Sequence, residues 1–256
     1  MIIGIDIGNT NLTVGYLNRM DVVRSSKVAS DRLRGSGFKK VLREAFDGLG
    51  VSACDLEAIY ICSVVPQLNS IVRHAVELFF KKPAMFVGGD VLVPLINHYR
   101  IPGQVGQDRL VGGYAALKLF GPGLIILDFG SAITFDIISK KSEYLGGLIV
   151  PGLKLMQEAL NKKTALLPYV ELARPVEMIG RDTVASIRAG IVYGVASLCD
   201  GIIARLRDKE CKGYKVIATG GDVGLIQAHS NSLKTSEEHL VLKGLSFIHD
   251  SQKKKK

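Results

Sequence analysis

The sequence predicts an α/β protein made of two similar halves, each a sheet with helices packed on it. Three observations carry that expectation. Strand and helix signals alternate along the chain; one strand–turn–strand unit occurs twice, about half a chain length apart; and 256 residues are enough for two hydrophobic cores. The first copy is MIIGIDIGNTNLTVGYL, residues 1–17. It reads as an apolar strand, a turn of small polar residues beginning at Asp6, and an alternating strand in which Leu12, Val14 and Tyr16 share one face. The second copy, LIILDFGSAITFDII at 124–138, repeats the plan, with Asp128-Phe129-Gly130 in place of Asp6-Ile7-Gly8.

Between the copies, residues 35–48 look helical. Ala58–Val65 is a buried strand stopped by Pro66, and Asn69–Phe80 carries helical spacing through Ile71, Val72, Ala75, Val76 and Phe79. A short strand near Ala84–Val87 ends at Gly88-Gly89, and Leu110–Leu119 is an apolar, helix-like run. The boundary is expected between about 113 and 122, where a Gly-Gly pair and then Gly121-Pro122-Gly123 punctuate the pattern. The expected domains are 1–115 and 116–250, with 251–256 a disordered basic tail. After the second copy, a Gly pair and Pro151-Gly152 precede a helical stretch. The longest helix starts near Asp182 or Thr183, with Val184, Ile187, Ile191, Val195, Leu198, Ile202 and Leu206 on one stripe. Gly190 and Gly194 weaken this helix and permit close approach by another backbone, as at a subunit contact. A last strand, Val216–Ala218, runs into Thr219-Gly220-Gly221-Asp222.

Composition excludes several classes. With 47% hydrophobic and 22% charged residues, the chain is not a disordered or low-complexity scaffold. Lys253–Lys256 supply four of the nine net positive charges, and Arg24, Lys27, Arg32, Arg34, Lys39 and Lys40 lack interleaved aromatics. A solvated basic face is therefore expected in preference to a nucleic-acid groove. Cys54, Cys62, Cys199 and Cys211 have no CxxC spacing and are expected to be reduced, buried thiols. The N-terminus lacks the basic region of a secretory signal, and no apolar run is long enough for a membrane span, so a cytoplasmic location is expected.

The chemistry-bearing residues cluster in turns. At Asp6-Ile7-Gly8-Asn9-Thr10, glycine exposes backbone N–H groups, and Asn9, Thr10 and Thr13 add side-chain donors suited to phosphate oxygens. Asp6 would repel a phosphate directly but can hold magnesium through water. Two such turns would grip a polyphosphate from both sides. Thr219-Gly220-Gly221 is a third glycine turn after a buried strand. The chain has neither a Walker A sequence nor a GxGxxG after a strand. Gly106-Gln107-Asp108-Arg109 precedes a helix. Its Asp-Arg pair reads either as a helix cap or as a carboxylate that takes a proton from an attacking alcohol beside a guanidinium that grips an anion. The five histidines, His74, His98, His229, His239 and His249, have no metal-ligand spacing.

In order along the chain, DIGNTNLT (6–13), SVVP (63–66), YRIPGQVGQDR (99–109), LDFGSAITFD (127–136), GGLIVPGL (146–153), TALLP (164–168), DTVASIRAGIVYG (182–194) and ATGGD (218–222) resemble the signature blocks of the type III pantothenate kinase family. That resemblance implies a duplicated actin-like, ribonuclease H-like fold with a central cleft. It implies ATP-dependent phosphorylation of pantothenate to 4'-phosphopantothenate, the first step of coenzyme A biosynthesis, with Mg2+ and a monovalent cation, K+ or NH4+. It assigns Asp108 as general base, and Tyr99, Gly106, Gln107, Arg109 and Thr183 to pantothenate, Thr183 from the second subunit of a homodimer. Asp6, Ile7, Gly8, Asn9, Thr10, Asn11, Leu12, Thr13 and Ser131 are assigned to ATP, Thr219, Gly220 and Gly221 to the nucleoside, and Asp128 to the monovalent cation. The chain departs from the family's usual residues at Ser131 and Ile133 (commonly Thr), Gln104 (Glu), Gln107 (Ala or Thr) and Asp182 (Asn). Two other readings stay open at this stage: another small-molecule kinase or phosphatase of the same superfold, and a non-catalytic nucleic-acid-binding regulator.

Overall fold

The computed structural model describes residues 1–33, 38–51 and 56–253. Arg34, Cys54, Lys254–Lys256 and the first residues of the helix expected over 35–48 lie outside the described residues. The chain divides into two compact units. The first comprises residues 1–120 with the segment from His239 onward, and the second comprises residues 121–238.

In the first unit, β1 (Ile2–Ile7) is flanked antiparallel by β2 (Asn11–Asn18) and parallel by β4 (Ala58–Ser63). β3 (Asp21–Ala29) and β5 (Ala84–Phe86) complete the order β3-β2-β1-β4-β5, and the two-residue β6 (Ile96–Asn97) follows in the chain. The isoleucines of β1 alternate between the two faces of the sheet. Ile3, Ile5 and Ile7 pack with Leu42 and Phe46 of α1 (Phe38–Asp47) and Val72 and Val76 of α2 (Pro66–Phe80). Pro66 stands in the first turn of α2, where its missing N–H costs no helical bond. On the other face, Ile2, Tyr60 and Cys62 pack with Val111 and Tyr114 of α3 (Gln107–Phe120) and with Leu242, Leu245 and Ile248 of α7 (Leu240–Lys253).

The second unit repeats this plan. β7 (Leu124–Phe129) is flanked antiparallel by β8 (Ala132–Ile138) and parallel by β10 (Lys215–Gly220). β9 (Glu143–Pro151) pairs antiparallel with β8, and β11 (Thr235–Ser236) parallel with β10. Within this unit the strands therefore run β9-β8-β7-β10-β11, the order and directions of the first sheet. α4 (Leu153–Lys163), α5 (Thr183–Lys209) and α6 (Val223–Gln227) follow the strands. α5 is long and apolar enough to cross a membrane, but its Ile187, Ile191, Val192, Val195 and Cys199 are buried in the core with Ile125, Leu127 and Phe135. The expected stripe is partly rotated, because Val184 is exposed while Leu198, Ile202 and Leu206 only flank that core.

Several expectations are corrected. The Gly112-Gly113 pair does not punctuate the chain: both residues are buried inside α3, which continues to Phe120. Nor does the segment after 239 follow the second half. α7 packs on α3 so closely that a Cβ on Gly244 would lie 2.4 Å from the carbonyl oxygen of Val111. Ser251–Lys253, expected in a disordered tail, form the end of that helix. Gly146 and Gly147, which precede α4 in the sequence, lie within β9. Cys62, Cys199 and Cys211 are free, buried thiols.

Candidate active site

In the first unit Asp6 and Asp108 lie toward the ends of β1 and β4, beside Cys62. Asp6 is a ladder residue, paired with Thr13 on one side and Cys62 on the other, so the turn begins after it, at Gly8. The Gly8 N–H donates to the Asn11 carbonyl at 2.9 Å and closes the turn. Asn9 and Thr10 are exposed at its tip. Ile7 and Leu12 are fully buried in the core, so only their backbone groups are available to a ligand. Sequence reasoning missed Ser30, which follows β3: its N–H donates to the Thr10 carbonyl at 2.9 Å and its Oγ to the Gly8 carbonyl at 2.7 Å. A lone serine in a polar stretch gives no local signal for this.

Asp108 lies in the first turn of α3, where the helix dipole favours a negative charge. The Arg109 N–H donates to Asp108 Oδ1 at 2.8 Å. Burial outweighs that bond and the Arg109 charge, and raises the carboxyl above its ordinary range. A carboxylate so placed is a better proton acceptor than an exposed one. Burial, followed by the charges of Asp6 and Asp108, drives the Cys62 thiol well above its usual value, which ties both carboxylates to one neighbourhood. A Cβ on Gly106 would lie 2.4 Å from Asp108 Oδ1, so the backbone there passes directly against the carboxylate. Gln107 packs its amide on Gly88, where a Cβ would lie 2.7 Å from Gln107 Cδ and the backbone φ is +91°. Tyr99 is half-buried in the preceding loop, its N–H donating to Asn97 Oδ1 at 2.9 Å.

The second unit repeats the first arrangement with one residue fewer in the turn. Asp128 pairs with Thr134 on β8 and with Thr219 on β10. Gly130 N–H donates to the Ala132 carbonyl at 3.1 Å, leaving Ser131 exposed at the tip, in the place of Thr10. Ile133 occupies the place of Leu12 and is fully buried, so a hydroxyl there would serve the core, not a ligand. Gly220, at φ +101°, passes Asp128 so closely that a Cβ would lie 2.5 Å from its Oδ1. Thr219 is buried beside it and Gly221 is exposed. Thr183 is the exposed first residue of α5, whose N-cap Asp182 accepts the Ala185 N–H at 2.8 Å. Aspartate and asparagine serve that cap alike. Among the described residues no group of three or more His, Cys, Asp or Glu side chains could hold a metal. Asp6 and Asp128 would each offer a carboxylate to a cation whose other ligands come from phosphate or water.

Residues 2–205 match the family model for type III pantothenate kinases. The chain belongs to the type III pantothenate kinase family. Relatives bearing that family's name include one from Anaeromyxobacter sp. (strain K), 38% identical over 98% of this chain and 99% of its own. Another, from Geobacter sp. (strain M21), is 37% identical over 99% and 100%. Among solved structures, the activator of the 2-hydroxyisocaproyl-CoA dehydratase from Clostridium difficile, with bound ADPNP, superposes with a TM-score of 0.57 at 13% identity, covering 99% of this chain and 97% of that one. Component A of the (R)-2-hydroxyglutaryl-CoA dehydratase from Acidaminococcus fermentans gives 0.58 at 12% identity over 100% and 99%. These structures share the actin-like fold that the family's repeated sheet predicts.

Proposed function

We propose that this chain transfers the γ-phosphoryl group of ATP to the terminal hydroxyl of pantothenate, giving 4'-phosphopantothenate and ADP, the first step of coenzyme A biosynthesis. The observation that carries the reading is full-length membership of the family with Asp108 buried in the first turn of α3. Asp108 accepts the hydroxyl proton as the alcohol oxygen attacks phosphorus. Arg109, Gln107, Gly106 and Tyr99 hold pantothenate, the Asp6–Thr13 turn and Ser131 contact the phosphates, and Thr219–Gly221 lie by the nucleoside. Phosphoryl transfer asks the protein mainly for position and charge, which these turns supply.

Asp128 is the residue for a monovalent cation. Its support is the place of the carboxylate, in the ladder of β7 at the end that leads into the turn, with the Gly220 backbone packed directly against it. Asp6 holds Mg2+ through water, and the metal, when bound, neutralises phosphate charge. The reading includes a homodimer in which Thr183 reaches the partner's substrate. In its support, Leu166, Val176, Met178 and Ile179 are exposed on the segment leading to Thr183. An apolar groove of about 700 Å³ also runs between α4 and α5 past Gly190 and Gly194. The buried free thiols fit a reducing, cytoplasmic setting.

Transfer of labelled phosphate from ATP to a panel of small alcohols, sugars and carboxylic acids tests the assignment. Labelling of pantothenate in preference to the rest is expected, and labelling of another acceptor alone rejects it.

A further inference from the structure

We propose that Ser30 is a positioning residue for the nucleotide phosphates. This rests on the assignment of the Asp6–Thr13 turn to ATP. Ser30 is completely buried, yet both of its donors are spent on one turn, the N–H on the Thr10 carbonyl and Oγ on the Gly8 carbonyl at 2.7 Å. Within a trans peptide the N–H points opposite to the C=O. Tying the Gly8 carbonyl toward β3 therefore turns the Asn9 N–H the other way, out from the tip where Asn9 is exposed.

The second unit supplies the independent comparison. The residue that follows β9, Gly152, stands where Ser30 follows β3, and its N–H donates to the Ser131 carbonyl at 3.2 Å. A Cβ on Gly152 would lie 2.4 Å from the Gly130 carbonyl oxygen, the counterpart of the Gly8 oxygen that Ser30 binds. Ser30 ties the Gly8 carbonyl down with a hydroxyl in the first unit, whereas Gly152 only passes its counterpart with bare backbone, so the first turn depends on a bond that Ser30→Gly would remove.

The test uses the full-length chain with Ser30→Ala and, alongside it, Ser30→Gly, which reproduces the bare backbone of Gly152. Affinity for ATP is measured by equilibrium binding without pantothenate, and KM values for ATP and pantothenate by ADP release. Both variants are expected to weaken ATP binding and raise its KM about tenfold, the effect of one lost hydrogen bond of ordinary strength, with KM for pantothenate within about twofold of wild type. Unchanged ATP affinity, or equal changes in both KM values, overturns the proposal. If both variants recover only as aggregate, Ser30 has a folding role and the proposal also fails. The binding arm needs no acceptor, so a wild type that binds ATP but does not phosphorylate pantothenate refutes the assigned reaction while this comparison still stands.

Discussion

Gly106 and Asp108 stand so close that the first side-chain carbon on Gly106 would lie 2.4 Å from Asp108 Oδ1. Real Cβ atoms do not approach oxygen that closely, so Gly106→Ala must push the carboxylate aside. A small misplacement of a catalytic group costs on the order of 100-fold in rate. The expected outcome is a fall in kcat of about 10- to 100-fold with the thermal transition little changed. Steady-state kinetics and a melting curve check it; wild-type kcat would mean that the Asp108 position is not critical.

Asp108→Asn keeps the shape of the side chain and removes its basicity. Turnover is expected to fall by about 100-fold or more, with ATP binding retained. The same variant carries a pH signature. Burial raises the Asp108 carboxyl in the folded state, so the native protein binds this proton more tightly than the unfolded chain. Stability is therefore lost as pH rises through the raised folded value. Asp108→Asn escapes that loss: it should melt above wild type at pH 7, with the difference closing as the pH falls toward 4. Melting curves across that range check the sign.

Asp128→Ala is expected to flatten activation by potassium while leaving Asp108-dependent chemistry in place. Titrating potassium chloride at fixed ionic strength measures it. An activation curve identical to wild type would move the cation elsewhere.

Gly244→Ala tests the fold and leaves the chemistry alone. Its Cβ would meet the Val111 carbonyl at 2.4 Å, backbone against backbone, so α7 must back away from α3. Overpacking of this kind costs roughly 1–3 kcal/mol. Urea unfolding should show that loss, and an unchanged midpoint would mean that α7 does not contribute to the first unit's stability.

What the sequence made legible follows from locality. Asp6 and Asp128 could be matched because each is bracketed by apolar strand residues, and the two prove to hold the same ladder position beside Thr13 and Thr134. The helices ending at Phe80 and Phe120 were readable from their apolar spacing. β3 was not, because most of its residues are exposed and its Arg24, Ser25, Ser26 and Lys27 hide any alternation. β9 was not either, because Gly146-Gly147 interrupts its apolar pattern. The placement of α7 depends on a contact between Gly244 and Val111, far apart in sequence, that no periodicity encodes. The same holds for the site. The acids and glycines stood out as motifs, while Ser30, Gly88 and Gly152 act on their partners only through three-dimensional approach.

The proposed activity depends on Asp108 taking the proton of a pantothenate hydroxyl as it attacks ATP. Coupled ADP release, with pantothenate and potassium present, compares wild type with Asp108→Asn most directly. Pantothenate-dependent release by wild type, reduced about 100-fold or more in the variant, is the predicted result. Release that ignores pantothenate would rule out pantothenate as the acceptor, and release that survives intact in the variant would rule out Asp108 as the base.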